Sequence, residues 1–288
     1  MSESVRSSRS NALSSFFSQK PDYLSEHLVQ LPALASSSGE PIEVCALKVP
    51  DDPSVLSDWA SAFRQAYCLD EEIDELRDGT GLSRRDYLLN FVFPAEKSGA
   101  GPAIRAGDFA ELVISDYVEH ILGFWVPRWK YADKANPNES VKGVDVVGFW
   151  QLDATKAQAS DSLLAFEVKA RLSAAGSGNR LQDAIDDSGT DYARLGYTLN
   201  KAKRLLRARQ NTIGVASVAR FQNKVDHPFD LRFGAGAVVN DTNYDSSMLH
   251  ASTSNNHPHQ KDLQLLVIHG NQLMKLAHGL YLRAADEA

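Results

Sequence analysis

Apolar positions along the chain recur at two spacings, and the change from one to the other marks out the elements. In GDFAELVISDYVEHIL, residues 107–122, stepping 100° per residue puts Ala110, Val113, Ile114, Tyr117, Val118 and Ile121 on one side. That stripe predicts a helix over about 108–122. Short apolar runs bounded by polar turns predict strands near 124–131, 141–150, 163–172, 212–220, 235–240 and 263–269. Helical spacing returns over 179–210, with a break expected at Gly189, and over 272–283. Residues 240–260 are polar and irregular, the pattern of a long surface loop.

The first hundred residues are punctuated by Pro21, Pro32, Pro41, Pro50, Pro53 and Pro94. Weak alternation over 41–49 predicts one strand. Trp59, Phe63 and Tyr67 at helical spacing predict one helix over 54–76. EKSGAGP, residues 96–102, reads as a flexible joint. The expected organisation is a Ser-rich disordered tail over 1–20, an accessory region over 21–100 and one α/β unit over 103–288. No internal repeat is visible.

Composition narrows the class. With 43% hydrophobic and 23% charged residues in a chain of 288, the protein is globular and not disordered or fibrous. The best apolar runs, 163–166 and 263–268, fall far short of the roughly 20 residues a bilayer span requires. Residues 1–20 lack the apolar core of a secretory signal. The two cysteines, Cys45 and Cys68, make no disulfide framework and no Cys-x-x-Cys pair, which suits a cytoplasmic protein. A net charge of −7 excludes a protein that coats nucleic acid through bulk charge. Residues 51–78 hold nine acids against Arg64 and Arg77, either a solvated helix face or a surface that docks a protein or masks a basic groove.

The candidate chemistry lies between residues 108 and 210. In LLAFEVKARL, residues 163–172, strand alternation sends Glu167, Lys169 and Arg171 to one face, with Glu167 and Lys169 about 7 Å apart along the strand. Asp145 sits in VKGVDVVGFW, and a polar turn over 153–161 separates the two runs, so a hairpin is expected to bring Asp145 beside Glu167. Two adjacent carboxylates repel unless a cation joins them, and oxygen ligands suit Mg²⁺ or Mn²⁺. A solvated strand face is the competing reading. Glu111 lies at the edge of the apolar stripe of its helix, placed either to reach a metal site or to complete a capping box begun by Asp108. Residues 194–210 carry Arg194, Lys201, Lys203, Arg204, Arg207 and Arg209 with no acid among them, which suits a phosphate backbone or a solvated face. His257-Pro258-His259 has no partner at a zinc spacing, and SAAGSGN, residues 173–179, lacks the Gly-Lys-Ser/Thr of a P-loop.

The order of acidic helix, strand with Asp145, hairpin to Glu167-Val168-Lys169 and basic helix resembles the PD-(D/E)xK nuclease superfamily. Val144 stands where that motif has proline, and no Gln-x-x-x-Tyr is present, since Asp186 stands four residues after Gln182. Within the superfamily, GDFAE, GVDVVGFW, LLAFEVKARLS and LLVIHG resemble the HamA family, the effector nucleases of Hachiman anti-phage defence. The resemblance implies a restriction-endonuclease-like fold, a central mixed sheet flanked by helices, with an N-terminal accessory region. It implies a helicase partner of the HamB kind and a nuclease held inactive until that partner engages foreign or aberrant DNA. The implied roles are Mg²⁺ or Mn²⁺ held by Asp145, Glu167 and the Val168 carbonyl, a water oriented by Lys169, and a second metal at Glu111. Arg171, Arg180, Arg194, Lys201, Lys203, Arg204 and Arg207 would engage DNA phosphates. The alternative is a catalytically inactive nuclease fold that serves as a DNA-binding or scaffold subunit.

Overall fold

The computed structural model describes residues 11–132, 134–173 and 176–288. Among them six strands form one mixed sheet in the order β1-β2-β6-β5-β4-β3. The strands are β1 (Leu28–Ala35), β2 (Pro41–Leu47), β3 (Val146–Trp150), β4 (Ser162–Arg171), β5 (Asp230–Asn240) and β6 (Gln264–Gly270). The outer pairs β1·β2 and β3·β4 are antiparallel, while β2·β6, β5·β6 and β4·β5 are parallel.

Helices cover both faces. The relevant ones are α1 (Pro53–Tyr67), α2 (Asp70–Arg77), α3 (Gly101–His120), α4 (Arg180–Ser188), α5 (Asp191–Ala208), α6 (Thr212–Arg220) and α7 (Leu273–Asp286). One core joins α1, α3 and α7 to the sheet through Trp59, Phe109, Val113, Leu164, Phe166 and Tyr281. The other joins α4, α5 and α6 through Leu163, Ala165, Leu181, Leu195, Val218 and Phe233. The alternation along β4 explains the division, since successive side chains enter opposite cores. This is an α/β fold with a buried, mostly parallel centre, as such sheets require. Among the described residues, no helix is long and apolar enough to cross a membrane.

Several expectations meet a different structure. Residues 11–20, expected as part of a frayed tail, are docked: Ala12 N–H donates to Gln151 O at 2.8 Å, Asn11 Nδ2 donates to Phe149 O at 2.8 Å, and Leu13 is buried. Residues 1–10 lie outside the described residues, as do two of the SAAGSGN loop, Ala174 and Ala175. The helix expected over 54–76 is two helices, because Cys68 and Leu69 are extended between α1 and α2. Residues 124–131 make only one bridge, Trp125 to Phe149. Pro127 has no N–H for a ladder, and Arg128 takes a left-handed φ of 42°. Residues 212–220 form helix α6 and not a strand. The Asn211 side chain caps it by accepting from Gly214 N–H, and the buried Gly214, Ser217 and Val218 follow the helical period. Strand β1 went unforeseen. Strands from both sides of the 96–102 joint share the sheet, and Gly101-Pro102 starts α3 there.

Candidate active site

The antiparallel register pairs Val146 with Phe166, so the next residue out, Asp145, stands level with Glu167. Asp145 Oδ2 accepts the Val168 N–H at 3.0 Å, which fixes the carboxylate against β4. Gly143 permits the approach: its φ of 147° is costly for other residues, and a Cβ there would lie 2.8 Å from Thr198 Oγ1. Val144 N–H donates to that same hydroxyl at 3.1 Å, anchoring the loop to α5.

Glu167 is 4% exposed, so its strand face is not solvated. Its Oε1 lies 2.6 Å from Lys169 Nζ, and the lysine also reaches Asp187 Oδ2 at 2.6 Å. Its Oε2 lies 3.4 Å from Arg194 Nη1, which stands 3.3 Å from Asp191 Oδ1. Asp191, Arg194, Thr198 and Lys201 are spaced three, four and three residues apart, which places them on one side of α5. Asp191 is fully buried, and among the described residues its Oδ2 has no hydrogen-bond partner.

On the other side of Asp145, a single ammonium joins two carboxylates. Lys130 Nζ lies 2.5 Å from Asp145 Oδ1 and 2.9 Å from Glu111 Oε1. Tyr131 OH donates to Glu111 Oε2 at 3.4 Å. The segment carrying Lys130 is pinned along α3 by Arg128, 2.5 Å from Asp116 and 2.7 Å from Glu119, and by Lys134 at Asp108. Each pair satisfies charges that would be costly to bury alone.

This crowding of acids perturbs protonation. Burial, then the Asp145 charge, pushes the Glu167 carboxyl up to about 7, with Lys169 and Arg194 opposing. Burial, then Glu167 and Asp145, pushes Asp191 up to about 8. Burial pushes Glu111 up to about 8 against the pull of Lys130. Lys169 is raised: burial opposes the shift, but its bonds to Asp187 and Glu167 outweigh it. Displaced pKa values gathered around one strand hairpin make this cluster a functional-site candidate.

The expected basic residues do not form one patch. Arg194 turns into the site, and Lys201 lies over the Trp129 ring at 5.8 Å. Lys203 faces Gln222 on the far side of α5, Arg180 pairs with Asp183, and Arg171 donates to Gly178 O. Arg204 and Arg207 are exposed. Arg209 meets Glu72 of the acidic α2 at 3.3 Å. His257 lies 3.1 Å from Ser188 Oγ, and His259 stacks on Phe233 at 4.2 Å, so both serve packing. Among the described residues, no three His, Cys, Asp or Glu side chains already stand as a metal cage.

Three charged groups of the cluster escaped the sequence reading. Lys130 lies in a segment without a regular period. Asp191 opens α5, where an acid is ordinary helix chemistry, and Asp187 lies in the last turn of α4 among other acids. The spacing of Asp191 from Arg194 and Thr198 was the available signal.

The family model of HamA matches residues 22–284. The chain belongs to the HamA family. Membership implies the HamA component of Hachiman defence. The HamA match takes in β1, β2 and α1 as well as the β3–β4 hairpin. No curated protein matches the chain.

Proposed function

We propose that this HamA-family protein is a metal-dependent nuclease that cleaves DNA phosphodiesters at Asp145, Glu167 and Lys169. The observation that carries the reading is the hairpin register, which sets Asp145 level with Glu167 while Lys169 touches the Glu167 carboxylate. The donor set fits a hard divalent cation, since it is all oxygen, and the buried Asp191 Oδ2 lacks a hydrogen-bond partner among the described residues.

Asp145 and Glu167, with the Val168 carbonyl, would hold Mg²⁺ or Mn²⁺. When bound, the ion supplies neutralisation at the phosphate and acidification of a water. The protein's own groups do the rest. Val168 N–H holds Asp145 in place, and Lys169 orients the attacking water and balances charge that develops on the phosphate. Arg204 and Arg207 on the exposed side of α5 give affinity for the backbone without reading sequence. In this reading a helicase partner of the HamB kind controls access of DNA, as the family resemblance implies.

The test incubates the full chain, with and without its co-purifying partner, with supercoiled, linear and single-stranded DNA and with RNA, in Mg²⁺, Mn²⁺ or EDTA. DNA cleavage that needs the divalent ion is expected. Lys169→Ala should lower the rate by about 10²–10³ and leave DNA binding intact. Cleavage that persists in EDTA, or in Glu167→Gln at the unaltered rate, refutes the assignment.

A further inference from the structure

We propose that the side of α5 carrying Arg194, Tyr197, Lys201 and Arg204 is a track for single-stranded DNA, with Tyr197 stacked on an unpaired base and the three cations on the phosphates. The inference rests on the nuclease reading and deepens it by naming the form of the substrate.

At 100° per residue these four side chains fall within an arc of about 80°, and the helical rise spreads them over about 15 Å. The track begins at the candidate site, since Arg194 Nη1 lies 3.4 Å from Glu167 Oε2. Lys201 is steadied over the ring of the buried Trp129 at 5.8 Å, and Arg204 is exposed. A fourth cation stands beside them. The exposed Lys142 precedes Gly143, which packs against Thr198, the residue after Tyr197. Residues 194–210 hold no acid, so a phosphate chain meets no repulsion from this helix. Charge alone would serve a duplex as well as a single strand.

Two observations select the single strand. The first is Tyr197, which is 49% exposed and stands between Arg194 and Lys201 along the helix. Among the described residues its ring stacks on no other and its hydroxyl has no hydrogen-bond partner. Tyr192 differs: it lies on the opposite side of α5, and its ring is 6.1 Å from that of His259. A free aromatic face among cations is the pattern of a stacking platform for unpaired bases. In a duplex each base is already stacked between its neighbours and offers no such face. The second observation is the depth of the carboxylates, with Glu167 4% exposed and Asp191 fully buried. A flexible strand can bend a phosphate into that depression, whereas a duplex carries its phosphates on a stiff rod.

The experiment measures binding of the full chain by fluorescence anisotropy, in EDTA to withhold the divalent ion. The probes are a fluorescein-labelled single strand and the duplex of the same sequence. The unaltered chain is expected to bind the single strand more tightly. Tyr197→Ala should weaken single-strand binding by about tenfold, the worth of one stacked base, and change duplex binding by less than about twofold. Tyr197→Phe keeps the ring and should bind the single strand within about twofold of the parent. A second readout is Tyr197→Trp, whose added fluorescence over the parent should be quenched by the single strand and not by the duplex. Equal losses on both DNAs in Tyr197→Ala, no loss on the single strand, or an unaltered chain that prefers the duplex or binds neither would overturn the inference. None of these results decides the nuclease reading, which stands or falls on ion-dependent cleavage and on its loss in Glu167→Gln.

Discussion

Replacing Asp191 with asparagine should make the protein more stable at pH 7, and the gain should vanish in acid. Asparagine keeps the size and removes the ionisable group. Burial and the neighbouring Glu167 and Asp145 hold the folded-state pKa at about 8, against 3.8 for the ordinary aspartate. Between those values the unfolded chain releases a proton that the folded chain keeps, so stability falls as pH rises through the window. From 3.8 to 7 is about three pH units at about 1.4 kcal/mol each, an upper bound of about 4 kcal/mol. The pull of Arg194 is already contained in that value. The amide replaces the acid's contacts imperfectly, so a net gain of about 2–3 kcal/mol is expected at pH 7. Thermal melts of both proteins at pH 4, 5.5 and 7 in EDTA read the difference directly, and other titrating groups cancel in it. A variant no more stable than the parent at pH 7, or one equally stabilised at pH 4 and 7, would refute the reasoning.

Two further outcomes follow from the same contacts. Arg128→Met leaves Asp116 and the fully buried Glu119 without their cation, so a loss of about 3–5 kcal/mol is expected, seen as a fall in Tm of about 10 °C; Arg128→Lys should rescue little, because a single ammonium cannot reproduce the two-pronged contact. The double change Arg204→Ala with Arg207→Ala should weaken binding to all DNA sequences alike and reduce the salt slope of affinity by about 2, measured by fluorescence anisotropy across a salt series.

The Asp145–Glu167–Lys169 constellation was legible because strand alternation and a hairpin turn constrain it so tightly. Period two sends Glu167 and Lys169 to one face, and a short polar turn leaves few registers for Asp145. The cations opposite these acids were not legible. Lys130 reaches the site on a segment interrupted by Pro127 and the left-handed Arg128, which no periodicity describes. Strand β1 was hidden for a different reason. Pro32 sits inside it, which an edge strand tolerates, and the pairing slips between Leu31 and Leu34. Its residues are half-buried or exposed, so no apolar run advertises them. Residues 212–220 misled through Ile213, Val215 and Val218, whose branched side chains suggest a strand, while the cap at Asn211 and the buried helical stripe decided the matter.

Strand β6 is last in chain order yet lies between β2 and β5. During synthesis the ribosome delivers the β1–β2 hairpin and the β3–β4–β5 block long before the piece that joins them. Until residues 264–270 emerge, each half presents an open parallel edge to the cell. The sheet therefore stays in two blocks until β6 pairs with both of them.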